Sequence, residues 1–464
     1  MPASPVFSRA DQRMVLLVTS LSGFLVTLMA SSINIALPMI GSEFHASAVT
    51  LSWISLSYVM AAGIVLMPVA RVASFRGWTR VFLWGSALLA VTFFAAALSP
   101  NAAVLVVLRF AQGVCSGIVF VTAPTMVTLA YPHERLGRAI GLNVLGVYSG
   151  TTLGPLLGGV IIHNLGWRML FVVAGAAGVA VLLLAIWKTR AVDWREPRPA
   201  DFDAFGCVAY ALGLAAVLVG FSILPALWGA GLVGAGILGL VAFVWWEAWV
   251  ASPVMDVALF RNNRVFAFSN MAAFINYAAT FALTFVLSLY LQYNRGLNAQ
   301  TAGFVLACGA FVQAAFSPLA GRLGDRMRAP LVAAAGMALC VGGLLAFVFL
   351  GQTTPYWYIL LMLGVLGLGF AFFSTPISQT IMGSVEKRQL GTASATLVTM
   401  RLAGQSMSIG LATLMLAIFV GGRTIEPGDY PSVLASVRLS FVVFTVLCVF
   451  GVGATLAGAW REAQ

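Results

Sequence analysis

Two arginines, Arg109 and Arg401, stand inside long apolar stretches of this chain, and no carboxylate or imidazole stands there with them. A guanidinium at the centre of a bilayer costs roughly 2.5–3.5 kcal/mol on insertion scales, so each should face a protein interior and find partners there. Arg109 can be read from its place alone as a structural arginine bonding backbone carbonyls near a span end. Arg401 reads either as a brace for its helix or as a contact for an anionic substrate. The 14 acidic residues are Asp11, Glu43, Glu134, Asp193, Glu196, Asp201, Asp203, Glu247, Asp256, Asp325, Glu386, Glu426, Asp429 and Glu462, and none falls at the centre of an apolar stretch. His45 and His133 lie between stretches, and His163 lies near the end of one. Proton carriage in membranes uses carboxylates or histidines whose pKa is raised by burial. No such group is embedded here, and the nearest candidates are the boundary residues Asp325 and Glu247.

Enzymatic chemistry finds little to use. The five cysteines (Cys115, Cys207, Cys308, Cys340, Cys448) lie in apolar stretches without metal-ligand spacing, and read as small buried hydrophobes. With the scattered histidines they offer neither a nucleophile–base pair nor a metal set, so no catalytic residue, metal or cofactor is expected. No GxxxxGK[ST] phosphate loop is present, which disfavours ATP-driven work by this chain alone. Polar and aromatic groups at mid-stretch could instead contact a small molecule. The candidates for a substrate cavity are Asn34, Tyr58, Gln112, Asn143, Tyr148, Asn270, Asn276, Tyr277, Gln313, Ser374, Gln379, Arg401 and Gln405, with Phe274, Phe281 and Phe373 alongside. A mostly apolar cavity with a few placed hydrogen-bonding groups suits amphipathic organic molecules.

The elements that must position these groups are membrane helices. The chain is 61% hydrophobic and 8% charged, against about 25% charged in soluble domains. At about 20 apolar residues per span, fourteen spans can be drawn: 14–38, 49–71, 79–99, 103–129, 138–163, 167–189, 203–223, 226–250, 265–292, 300–321, 330–350, 356–381, 391–420 and 435–459. The polar start, Met1 to Arg13, leads directly into a full-length span, with no cleavable signal. The charged connector Lys188 to Asp203 suggests a division into three parts: an N-terminal six-helix bundle (1–189), a linker with two additional spans (190–264) and a C-terminal six-helix bundle (265–464). The net charge of +11 reflects topology rather than nucleic acid. Nineteen of the 25 Lys and Arg fall in predicted inner segments; Arg168, Arg295 and Arg423 are outer, Arg438 is near an outer boundary, and Arg109 and Arg401 lie within spans. That asymmetry predicts both termini on the cytoplasmic side, and the expected location is a plasma (inner) membrane of bacterial type. The expected partners are the lipid bilayer and a small-molecule substrate, and the expected state is a monomer.

Span five carries the most organised stretch, Gly146-Val-Tyr-Ser-Gly150-Thr-Thr-Leu-Gly154-Pro155-Leu-Leu-Gly158-Gly159. Glycines four apart form one bare helical stripe, which permits close helix approach in lipid. Pro155 removes a backbone donor and favours a bend. The stretch reads either as tight static packing or as a moving seam. A weak internal repeat pairs the region from Arg71 to Arg80, after span two, with Gly321-Arg-Leu-Gly-Asp325-Arg326-Met-Arg328.

The pattern GxxxGPxxGG resembles the antiporter signature of the major facilitator superfamily. Other motifs resemble the family in order: Asn34-Ile-Ala-Leu-Pro38, Trp53 with Tyr58, Leu108-Arg109-Phe-Ala-Gln112-Gly113, Arg135-Leu-Gly-Arg138-Ala139, Trp167-Arg168-Met-Leu-Phe171, Pro253-Val-Met-Asp256 running on to Arg261, and Arg401-Leu-Ala-Gly404. Six plus two plus six spans is the plan of the family's fourteen-span drug:proton antiporter branch. The resemblance implies an all-α major-facilitator fold and alternating-access export of amphipathic small molecules by proton antiport. It gives Arg109 a coupling role, Asp325 with Arg326 the role of a latch on a neighbouring helix N-terminus, and Gly150, Gly154, Pro155, Gly158 and Gly159 the role of a seam sliding against the opposite bundle.

Two departures bear on these roles. The acidic residue usual in the family five positions before the span-one Asn is Met29 here, and the first inner loop keeps only Gly77 of the family's motif, with Arg80 nearby. Lacking a mid-membrane acid, the chain has little to attract lipophilic cations, so neutral or anionic substrates are expected. A proton-independent facilitator or importer of a small metabolite or lipid stands as the alternative.

Overall fold

The computed structural model describes residues 8–189, 203–224, 226–250, 257–386, 389–421 and 423–462. Most of the charged connector after span six, residues 190–202, and the start of the Pro253 motif, residues 251–256, lie outside the described residues, as do the side chains of Arg71, Glu134 and Arg138.

Among the described residues the fold is all-helical apart from one isolated bridge, Ser47 to Thr424. The helices are α1 (Arg9–Phe44), α2 (Ala48–Arg76), α3 (Trp78–Ala97), α4 (Ala102–Ala130), α5 (His133–Leu165), α6 (Trp167–Thr189), α7 (Ala204–Ile223), α8 (Leu227–Glu247), the short α9 (Val257–Asn262), α10 (Arg264–Thr280), α11 (Leu283–Leu289), α12 (Ala299–Arg326), α13 (Ala329–Val348), α14 (Tyr356–Gly383), α15 (Leu390–Phe419) and α16 (Tyr430–Glu462). Fourteen spans are long and apolar enough to cross a membrane, with α10, α11 and the π-helical turn Tyr290–Asn294 forming the ninth. Helices suit this composition because hydrocarbon cannot hydrogen-bond exposed backbone, and a helix satisfies its own. Short polar residues mark the starts: Ser8, Ser47, Asn101 and Asn298 each accept a hydrogen bond from a backbone N–H three residues on.

An even number of spans puts both chain ends on one face, called here the terminal face; the other is the far face. Helices α1 to α6 pack as one bundle, with α1 against α5, α4 and α6, and α2 and α3 against α4. Helices α10 to α16 form a second, in which α10 packs on α15 and α16, α13 on α14 and α16, and α12 on α14. Helices α7 and α8 pack on each other, and α7 reaches α2 and α15 at the margin between the bundles. The two bundles meet through α5 with α12 and through α2 with α15.

The glycine stripe corrects one expectation about span five. Gly146, Gly150, Gly154 and Gly158 do not face the opposite bundle; they face α1 of their own. A Cβ on Gly146 would lie 2.9 Å from the Ser20 carbonyl oxygen, one on Gly154 would lie 2.9 Å from that of Leu28, and one on Gly158 would lie 2.6 Å from Ser32 Cβ. Hydrogen bonds exploit this closeness: Thr27 Oγ1 donates to the Val147 carbonyl at 2.7 Å and Ser32 Oγ to that of Gly154 at 2.7 Å. Of the residues given the seam role, Pro155 and Gly159, on the adjacent helix face, are the ones that meet the second bundle. A Cβ on Gly159 would lie 2.8 Å from the Ala299 carbonyl oxygen, and Gly303 packs on the Pro155 carbonyl. The reason is helical geometry: positions four apart share a face, and a residue one step on points about 100° away.

Candidate functional site

A central cavity lies between the bundles at mid-depth. Its walls come from Thr27, Ser31 and Asn34 of α1, Tyr58 of α2, Phe120 of α4, Tyr148, Thr151 and Pro155 of α5, Tyr277 of α10 with Phe281 beyond it, Gln313 of α12, Phe370 of α14, and Arg401 and Gln405 of α15. Aliphatic residues such as Leu306, Leu363, Leu366 and Leu402 fill the rest. A mostly apolar hollow with a few hydrogen-bonding groups is the ordinary form of a small-molecule site.

The far-face roof of the cavity is closed by contacts between the bundles. Pro38 has no N–H, so the Asn34 carbonyl four residues earlier loses its helical donor. Ser288 Oγ, at the far end of α11, donates to that oxygen at 2.7 Å, and Gln292 Nε2 donates to the Ile35 carbonyl at 3.1 Å. Beyond them the Ala48 N–H donates to the Arg423 carbonyl at 3.3 Å and Thr424 Oγ1 to that of His45 at 3.3 Å. On the other flank, Pro155 and Gly159 close on Gly303 and Ala299. Nearer the terminal face, a Cβ on exposed Gly141 of α5 would meet nothing within 4 Å.

Arg109 is fully buried behind the cavity wall. Its Nε donates to the Ile54 carbonyl at 3.1 Å and its Nη1 to Gln112 Oε1 at 2.9 Å, while its Cζ sits 4.1 Å from the centroid of the Tyr58 ring. Gln112 in turn donates to the Thr92 carbonyl at 3.0 Å. The Tyr58 hydroxyl donates to Ser116 Oγ at 2.7 Å. Arg109 and Gln112 therefore stand one ring behind the cavity surface. Met29, at the position where the resemblance places an acid, is fully buried in the N-terminal bundle and is not part of the cavity wall.

Eight of the expected cavity residues line it together: Asn34, Tyr58, Tyr148, Tyr277, Phe281, Gln313, Arg401 and Gln405. The other eight, Gln112, Asn143, Asn270, Phe274, Asn276, Phe373, Ser374 and Gln379, are not on its wall. Besides Gln112, Asn143 Nδ2 donates to Thr19 Oγ1 at 3.2 Å and ties α5 to α1. Asn276 Nδ2 points at Met337 Sδ, 3.0 Å away in the second bundle. Gln379 Nε2 reaches Asp325 Oδ1 at 3.1 Å near the terminal face. Each serves as interhelical glue because a buried amide must be paired wherever packing turns it. In this state Asp325 accepts, among the described residues, from a side chain of α14, and Arg326 beside it is exposed. Glu247 is buried at the end of α8, beside the Asp203 carboxylate at the start of α7, away from the cavity. Sequence reasoning missed the wall hydroxyls of Thr27, Ser31 and Thr151, because membrane threonines and serines that merely back-bond their own helix look the same in sequence.

Three comparisons place this geometry among known proteins. The family model described as Major Facilitator Superfamily matches residues 19–269 and 269–463. The chain is 29% identical over 428 residues to multidrug resistance protein Stp of Mycobacterium tuberculosis, covering 90% of this chain and 78% of that protein. It is 25% identical to riboflavin transporter RibZ of Clostridioides difficile, with 87% of each covered. It is 26% identical to the tetracenomycin C resistance and export protein of Streptomyces glaucescens, with 88% of this chain and 76% of that one covered. A solved bacterial homologue of the human lysosomal transporter Spinster, inward-facing and unoccupied, superposes with a TM-score of 0.70 at 18% identity over 97% and 98% of the two chains. With fourteen spans in two facing bundles and a family match that runs nearly end to end, the chain belongs to the Major Facilitator Superfamily of membrane transporters.

Proposed function

We propose that this transporter exports amphipathic small molecules by alternating access, with its terminal face in the cytoplasm. The observation that carries the reading is the central cavity itself: mostly apolar, walled by both bundles, and roofed on the far face by contacts that a rocking motion can break. The orientation rests on the exposed arginines gathered at the terminal face, among them Arg9, Arg13, Arg76, Arg135, Arg322 and Arg326. The names of two relatives, a multidrug resistance protein and an antibiotic export protein, favour export.

Proton antiport is the coupling we propose from the family signature. A proton-independent facilitator is the second reading, favoured by one observation: among the described residues the titratable side chains on the cavity wall are tyrosines and Arg401, with no carboxylate or histidine. Substrate flux in proteoliposomes, with and without an imposed pH gradient, separates the two. Uphill movement driven by the gradient supports antiport; saturable flux indifferent to it supports the facilitator. Absence of any flux across a panel of amphipathic dyes refutes the transport reading in both forms.

A further inference from the structure

Arg401 is the one charged side chain on the cavity wall among the described residues, and it is placed to be touched from both bundles. It projects from α15 of the second bundle, and its Cζ sits 5.6 Å from the centroid of the Phe120 ring on α4 of the first. The Tyr277 hydroxyl lies within hydrogen-bonding reach of the guanidinium, and that hydroxyl is 3.4 Å from the Tyr148 hydroxyl across the interface. Arg401 Nε is buried and has no hydrogen-bond acceptor. Among the described residues no carboxylate comes within ion-pair distance of it. Arg109 Nη2 is likewise buried without a partner, but Arg109 stands behind the cavity wall, whereas the unpartnered donor of Arg401 belongs to a side chain that lines the cavity.

Electrostatics points the same way. Behind the Tyr58 ring the second guanidinium, Arg109, also lacks a carboxylate partner among the described residues. Two positive charges at mid-depth with no counter-charge give the cavity a positive potential, which low dielectric does little to screen. A guanidinium fork with a free donor edge matches a carboxylate, sulfonate or sulfate, and the aromatic and aliphatic walls match an apolar body.

We propose that the substrates are amphipathic organic anions whose acidic group seats on Arg401 and the Tyr277 hydroxyl while the apolar body lies against Phe120, Phe281 and Phe370. This rests on the exporter reading above and narrows it to a charge class. Because the seat is contacted from both bundles, an anion there would draw α4 and α15 together, giving substrate binding a direct hold on the rocking motion.

The test uses two dyes on one xanthene frame: fluorescein, an anion, and rhodamine 6G, a cation. Binding to the purified full-length protein is read by fluorescence anisotropy, and flux by dye release from proteoliposomes corrected for protein-free vesicles. Arg401→Met should lower fluorescein affinity and flux by about tenfold or more, the loss expected for a charge-assisted pair, without lowering rhodamine 6G binding. Arg401→Lys, which keeps the charge, should retain most fluorescein binding, and a monodisperse gel-filtration peak for both variants excludes misfolding. Unchanged fluorescein binding in Arg401→Met, or a wild-type protein that takes rhodamine 6G in preference, overturns the anion seat while leaving the exporter intact. Absence of flux for both dyes overturns the exporter reading, and the seat with it.

Discussion

Gly159→Ala tests whether the span-five signature holds the two bundles together on the far face. The added Cβ would lie 2.8 Å from the Ala299 carbonyl oxygen and 3.3 Å from Gly303 Cα. Both neighbours are backbone, so no side chain can swing aside, and the bundles must separate to give an ordinary contact. Overpacking of this kind costs about 1–3 kcal/mol, and that cost falls only on the state in which α5 and α12 touch. The balance between far-face-closed and far-face-open forms should therefore move toward open by roughly 5- to 150-fold. Spin labels at Leu98, 82% exposed on the first bundle, and Phe349, 72% exposed on the second, would report it as a larger population at long distance. Half-buried Cys308 would be replaced by Ala in all samples. Gly154→Ala is the control within one bundle: its Cβ would overlap Ser31 Oγ, which must turn away, and fall 2.9 Å from the Leu28 carbonyl oxygen, both on α1. It should lower thermal stability and leave the distance unchanged. An unmoved distance in Gly159→Ala, or an equal shift in Gly154→Ala, would refute the assignment of the two glycine faces.

Further outcomes follow from the same contacts. Ser288→Ala should leave the buried Asn34 carbonyl without its donor in the far-face-closed form, costing that form about 1–3 kcal/mol. Adding Pro38→Ala, which restores the helical donor, should shrink the effect in a double-mutant cycle read by the same labels; strict additivity would contradict the role given to Pro38. Met29→Glu places a carboxyl in a fully buried position, where burial raises its folded pKa above its unfolded value. The variant should then be less stable than wild type by several kcal/mol at pH 8 and closer to it at pH 5, because the neutral form predominates below the raised pKa. A melting temperature that falls equally at both pH values would show the carboxyl reaching water.

Much of this molecule was legible in the residues alone. Sixty-one per cent hydrophobic composition with so few charges leaves the chain no soluble fold, and the spacing of apolar runs yields the fourteen spans because each helix must satisfy its own backbone in lipid. The glycine spacing announced a close helix contact, since a bare stripe serves no other purpose as economically. That Arg109 and Arg401 must be turned inward also followed from the cost of a guanidinium in hydrocarbon. What the spacing could not decide was which neighbour each face meets. Gly154 and Gly159 differ by five residues and look alike in sequence, yet one packs α1 and the other α12, because partner choice depends on where remote helices dock. The same holds for the amides. Asn34 and Gln313 reach the cavity while Asn143 and Gln379 are consumed as glue, and a rotation of one helix by about 100° per residue would exchange those fates. Arg109 and Arg401 were equivalent as sequence, two lone charges in apolar runs; only the packing of α2 around one and the opening of the cavity beside the other separated an arginine sealed behind the wall from one that lines the cavity.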